Sequence, residues 1–158
     1  MNPRLNPFEA ARKAMGSWLT YSQNAAADGL ETRLVHLVKI RASQLNGCAN
    51  CLNMHTQEAR KDGESEQRLH VLAAWHDAPF FSDRERAALA WTDALTLLPL
   101  KGAPDDATYA RLAAQFSEEE QVKLTLVINA INGWNRLATG FRLFQPDIAA
   151  ARAGAAVA

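Results

Sequence analysis

Two Ser-x-x-Glu boxes, Ser82-Asp83-Arg84-Glu85 and Ser117-Glu118-Glu119-Glu120, each stand at the head of a long run of helical hydrophobic periodicity. In such a box the serine hydroxyl takes up the N–H three residues on, and the glutamate reaches back to the serine N–H. Both therefore mark helix starts. The rest of the chain is written in the same way, with alanine-rich periodic runs, scarce β-branched alternation and glycines falling between the runs. Such a chain has no sheet to build a core on and must pack helix against helix. The pattern predicts an all-α, single-domain helical bundle over residues 1–146. An Ala-rich tail, 147–158, carries few packing side chains and is expected to be loose.

Breaks between the runs divide the bundle. Pro7 opens a first helix through Met15, with Gly16 as a break, and a second follows over 17–27, closed near Gly29. A third covers 30–45 and stops at Asn46-Gly47. The fourth begins around Cys48 and ends at Lys61, before Asp62-Gly63. Ser65 caps a fifth reaching about His76, and Ala78-Pro79 breaks the chain. The sixth ends before Pro99, Pro104 opens a seventh through Gln115, and the last runs to about Gly140. Trp18, Trp75, Trp91 and Trp134 fall within these patterns and read as core or interface anchors.

Charge and hydropathy narrow the function. Lys plus Arg and Asp plus Glu both total 17, so the net charge is zero and nothing attracts a polyanion; a nucleic-acid partner is not expected. A hydrophobic content of 48% suits a globular chain and is compatible with subunit association. The most apolar stretches, such as 124–131, are far too short to cross a bilayer, and the first seven residues lack the apolar core of a signal peptide. The expectation is a cytoplasmic protein without membrane contact. No phosphate-binding glycine loop and no serine nucleophile elbow is present.

The chain holds two cysteines, both in Gly47-Cys48-Ala49-Asn50-Cys51, with His55 four residues beyond. A helix starting near Cys48 sets the two sulfurs one turn apart on one face, with His55 over the next turn. Free backbone N–H groups at that terminus favour a thiolate, and an imidazole nearby takes up a proton or steadies the anion. In a reducing compartment a lasting structural disulfide is disfavoured, so such a pair points to catalysis or metal. The preceding run, Leu34-Val35-His36-Leu37-Val38-Lys39-Ile40, is mostly apolar, and His36 is a second candidate base if the two helices pack together. Burial there would keep it neutral.

Plainer readings stand beside this one. The cysteines can be inert core residues, or half of a zinc site with His55 as third ligand and His70 or His76 folding back to complete it. His36 can be a satisfied core histidine, and His55 can merely cap or pack.

The segment from Lys39 to Thr56, with its Ser43-Gln44-Leu45-Asn46-Gly47-Cys48 run joined to Cys51 and His55, resembles the core of the alkylhydroperoxidase D (AhpD) family, within the carboxymuconolactone decarboxylase-like superfamily. The similarity continues to Leu69, and Gly133-Trp134-Asn135-Arg136-Leu137-Ala138 resembles a C-terminal segment of that family. The resemblance implies an all-helical fold, trimers or hexamers, and peroxide reduction without metal or organic cofactor. It implies that Cys51 attacks the peroxide, Cys48 condenses with the resulting sulfenic acid, His55 relays the proton, and an external dithiol or redox protein restores the thiols. A helix-dipole argument alone would make Cys48 the stronger thiolate. The two agree if Cys48 is the accessible sulfur that meets reductant and Cys51 lies deeper, beside the histidines. Family members carry a relay glutamate where this chain has His36, with Glu31 as a weak substitute.

The leading expectation is thus a thiol peroxidase acting on hydrogen peroxide or organic hydroperoxides through Cys51, Cys48, His55 and His36. The alternatives are a general dithiol–disulfide oxidoreductase and a non-catalytic redox-sensing or metal-binding oligomeric module. Lactone decarboxylation gives the thiol pair no evident role.

Overall fold

A central helix, α3 (Thr32–Leu45), organises the molecule: from Leu34 to Ser43 every residue but Lys39 is buried, so the helix is enclosed on all sides. The structure is a computed structural model and describes residues 2–27 and 29–146. The expected loose tail, 147–158, lies outside the described residues. Before α3 come α1 (Pro7–Ala10) and α2 (Arg12–Ala27); after it come α4 (Ala49–Lys61), α5 (Glu66–Val71) with a 3-10 turn (Leu72–Ala74), α6 (Asp83–Thr96), α7 (Leu98–Lys101), α8 (Asp106–Ala113) and α9 (Glu118–Phe141). No strand occurs among the described residues.

Helices α4, α6 and α9 pack directly on α3, α2 lies against α9, and α8 against α6. Val38, Leu112, Leu124 and Ile128 fill the core between α3, α8 and α9. Leu37, Ile40, Leu72, Trp75 and Leu89 fill it on the side of α4 to α6. A third, smaller cluster joins Ala42, Cys48, Cys51, Ile131 and Ala138 where α3, α4 and α9 converge.

Both capping boxes form as the sequence predicts. Ser82 Oγ accepts from the Glu85 N–H at 3.2 Å while Glu85 accepts from the Ser82 N–H at 2.8 Å. Ser117 and Glu120 repeat the exchange at 3.3 and 2.8 Å.

Two boundaries differ from expectation. Gly16 lies inside α2, and the break falls earlier, at Ala11, whose backbone (φ −140°, ψ 52°) leaves the helical region. A mid-helix glycine costs about 1 kcal/mol against alanine, which packing of α2 on α9 outweighs. The fifth helix stops at Val71 and tightens into the 3-10 turn, which carries Leu72 and then Trp75 into the core. The sixth helix ends at Thr96, before Pro99 as expected, and Pro99 itself sits in the first turn of the short α7, where its missing N–H is not needed.

The turn from α3 to α4 is the most constrained connection. Gly47 adopts the left-handed conformation (φ 64°) and its N–H donates to Gln44 O at 3.2 Å; the Cys48 N–H donates to Ser43 O at 3.0 Å. This paired closure caps α3 and makes Cys48 at once the tail of one helix and the N-cap of the next. A chain of side-chain amides, buried at Asn132 and Asn135, then ties the turn to α9. Asn46 Nδ2 donates to Asn132 Oδ1 and Asn135 Oδ1, each at 2.9 Å, and Asn135 Nδ2 donates to Ser43 Oγ at 3.0 Å.

Candidate active site

Cys48 and Cys51 form a disulfide with a Cα–Cα distance of 5.4 Å, inside the range such bridges need. Cys48 is the N-cap of α4, and its sulfur also accepts from the Cys51 N–H at 3.3 Å. The predicted geometry, one sulfur at the helix terminus and the other a turn inside, is therefore present. The expected division of exposure is not. Cys48 is fully buried, and Cys51 is the one that lines a cavity. Both sulfurs lie in the buried cluster with Ala42, Ile131 and Ala138, and of the two it is Cys51 that borders the cavity.

The cavity has a volume of about 660 Å³ and lies between α2, α3, α4 and α9. Leu19, Met54, Ile131 and Trp134 give it mainly apolar walls, and its polar contributions come from a few groups that include Lys39, His55 and Glu58. Trp134, an expected core or interface anchor, is a wall of this cavity, stacked against Phe8 with ring centroids 6.2 Å apart.

His55 lies one turn past Cys51, buried, on the same cavity. Its Nδ1 is 2.7 Å from Glu58 Oε2. Burial holds the imidazole below its ordinary pKa; the Glu58 hydrogen bond opposes that, and the nearby charges of Lys39 and His36 add to the lowering. Burial also pushes the Lys39 ammonium down, against the attraction of Glu58.

His36 packs beside this group but turns away from the cavity. Its Nε2 is 2.6 Å from Asp62 Oδ2 at the end of α4, and its Nδ1 is buried without a hydrogen-bond partner. The contact of the start of α3 with the end of α4 shows the two helices to be antiparallel. Glu31 does not substitute: it is held by Arg84 at the start of α3, and that hydrogen bond lowers its pKa. His70 and His76 do not line the cavity either; both are exposed, and His76 stacks on Trp75. Among the described residues no three His, Cys, Asp or Glu side chains converge as a metal site. None of the described helices is long and apolar enough to cross a membrane.

Reading the sequence missed Glu58 and the asparagine chain. Glu58 carried one available signal, its spacing of three from His55, which helix geometry makes a contact distance. Asn135 stood in the 133–138 segment that the resemblance picks out, but its partners, about ninety positions away, could not be read from it.

A family model described as the carboxymuconolactone decarboxylase family matches residues 12–94. The chain belongs to the carboxymuconolactone decarboxylase family. The uncharacterized protein YdfG of Bacillus subtilis (strain 168) is 41% identical over 137 residues, covering 87% of this chain and 92% of that protein. A crystal structure of a protein of unknown function from Agrobacterium tumefaciens, a candidate antioxidant defence protein AhpD, superposes with a TM-score of 0.88 at 43% identity, covering 92% of this chain and 99% of the other. The apo debrominase Bmp8 shares the fold (TM-score 0.72, 21% identity, 87% of this chain and 71% of the other). This carboxymuconolactone decarboxylase family chain thus has the AhpD-like all-helical fold.

Proposed function

We propose that this protein is a thiol peroxidase that reduces hydrogen peroxide or organic hydroperoxides with the Cys48–Cys51 couple. The observation that carries the reading is the placement of Cys51, the cavity-lining half of a disulfide, one helical turn from a buried imidazole. In the reduced protein, His55 takes the proton of Cys51 and the thiolate attacks one peroxide oxygen. The O–O bond breaks, an S–O bond forms, and the departing oxygen leaves as alcohol or water after taking a proton. Cys48 then attacks the Cys51 sulfur; the S–S bond forms and water leaves. The two electrons given to the peroxide come from the dithiol, and an external dithiol or redox protein returns them with two protons.

Two features favour this order. Cys51 alone of the two cysteines borders the space a substrate would enter. Cys48 is held at a short Cα–Cα distance from it by the capped turn. In this reading His36 is the second imidazole, standing beside the site with its Nε2 on the half-exposed Asp62. The exposed Phe8, Leu19 and Met54 at the cavity support assembly into the homo-oligomer, trimer or hexamer, that the resemblance implies. A cytoplasmic setting would supply the reductant.

The test is intact-mass analysis of the reduced protein before and after one equivalent of peroxide, with remaining thiols alkylated only after the peroxide step. The expected result is loss of two hydrogens confined to the 48–51 peptide. Cys51→Ser should abolish peroxide consumption, and Cys48→Ser should leave a sulfenic acid on Cys51 that a dimedone probe captures. A Cys51→Ser protein that consumes peroxide at the native rate refutes the assignment.

A further inference from the structure

We infer that Glu58 is a positioning residue for this chemistry: through its contact with His55 Nδ1 it sets the imidazole tautomer and steadies the imidazolium that forms when Cys51 gives up its proton. The inference deepens the peroxidase reading and rests on its choice of Cys51 and His55.

The argument begins with one hydrogen bond. An ionised carboxylate only accepts, so the 2.7 Å contact places a proton on Nδ1, which donates to Glu58 Oε2. The other ring nitrogen, Nε2, then keeps its lone pair and is the basic atom. A ring held by a carboxylate in this way is oriented as well as charged correctly for taking a proton.

The charged groups facing His55 strengthen the case. From α3 come Lys39 and His36, both of which oppose a positive charge on the ring; from α4 comes Glu58. The cavity-lining residues of α2 and α9, among them Gln23, Ser22 and Trp134, are uncharged. Glu58 is therefore the acid that faces this imidazole among the described residues. His36, which occupies the position where the resemblance implies a glutamate, instead contacts Asp62. The carboxylate beside the base thus comes from the thiol helix itself rather than from α3.

Direct repulsion between Glu58 and a Cys51 thiolate would act the other way. Seven residues separate them along α4, a rise of about 10 Å, whereas the carboxylate touches the ring. The close contact dominates, so removing the charge of Glu58 weakens the ion pair of Cys51 and His55 more than it relieves the thiolate. Each elementary step keeps its balance: the proton leaves Cys51 Sγ for His55 Nε2, Nδ1–H stays bonded to Glu58, and no electrons move until peroxide arrives.

The experiment compares the reduced C48S protein, whose single thiol is Cys51, with C48S/E58Q. Thiolate absorbance near 240 nm is followed against pH, with thermal unfolding alongside. The expected result is a thiolate midpoint raised by about one unit in the glutamine variant, which is about a tenfold loss of thiolate at neutral pH. Peroxide turnover of E58Q in the otherwise native protein should fall to a similar extent. A midpoint that stays in place or moves down, whatever happens to the melting temperature, overturns the inference. A second readout needs no variant: ring ¹⁵N shifts of His55 in the reduced native protein should report the Nδ1–H tautomer, and an Nε2–H tautomer overturns it. Should the native protein leave peroxide untouched while the Glu58-dependent midpoint is found, the role of Glu58 is sustained and the peroxidase reading alone fails.

Discussion

Replacing Gly133 by alanine sets two effects of opposite sign against each other, and the structure says which wins. Gly133 lies in the middle of α9, where alanine is better than glycine by about 1 kcal/mol from backbone entropy alone. An added Cβ, however, would stand 2.3 Å from Trp18 Cζ2 and 2.6 Å from its Cη2. Those are atoms of a rigid ring, so relief requires moving the whole indole. That indole stacks on Tyr21 at 5.4 Å and sits 6.0 Å from the Trp134 ring, which walls the cavity. Overpacking of this kind costs about 1–3 kcal/mol, so Gly133→Ala should destabilise by about 1 kcal/mol net. The sign should reverse once the ring is gone. In a Trp18→Ala background, itself destabilised by about 3 kcal/mol, Gly133→Ala should become neutral or stabilising by up to about 1 kcal/mol. The coupling between the two positions is then about 2 kcal/mol. Urea unfolding followed by far-UV circular dichroism, with all four proteins at one concentration so that association does not bias the comparison, measures the cycle. Equal destabilisation in both backgrounds would show that the indole does not occupy this space and would refute the packing argument.

Other outcomes follow from the same coordinates. Asn135→Ala removes one acceptor from the half-buried Asn46 amide, which keeps Ala42 O and Asn132 Oδ1, and one donor from the buried Ser43 hydroxyl, which keeps Lys39 O, and should cost about 1–3 kcal/mol by urea unfolding. A loss below 0.5 kcal/mol, on the scale of an exposed substitution (about ±0.5 kcal/mol), would mean the amide chain is not sealed from water. Because burial lowers the pKa of His55 in the fold, the unfolded chain binds its proton first as pH falls. The stability His55 confers by staying neutral is complete above the unfolded value of about 6.5 and is lost as pH drops below it. The urea midpoint of the native protein should therefore fall more steeply between pH 7.5 and 5 than that of His55→Gln; parallel slopes would contradict the burial. Glu120, held down to about 2 chiefly by the Arg84 hydrogen bond, acts in a lower window. Its contribution is complete above the ordinary glutamate range and fades as pH falls toward 2, so Glu120→Gln should flatten the acid limb of the same titration.

Most of the helices could be read from local chemistry because the forces that start and stop them are local. The serine hydroxyls of the two boxes and the Asn46-Gly47 stop act within four residues, and each does in the structure what its spacing implied. Gly16 was misread for a complementary reason: its cost is local, but the packing of α2 on α9 that overrides it comes from residues a hundred positions away. That Cys51 rather than Cys48 borders the cavity, although both are buried, depends on which distant side chains of α2 and α9 close around α4, and no local spacing encodes it.

What the sequence by itself determined is the all-α fold class and the thiol helix with Cys48 at its mouth, Cys51 one turn in and His55 the next turn on. Periodicity and end-capping are properties of neighbouring residues, so they survive in a one-dimensional text. Tertiary structure alone decided that Cys51 lines the cavity, that the cavity has walls from α2 and α9, and that His55 and His36 find different carboxylates in Glu58 and Asp62. Burial and ion pairing depend on which surfaces meet, and that is settled only when distant helices close around α3.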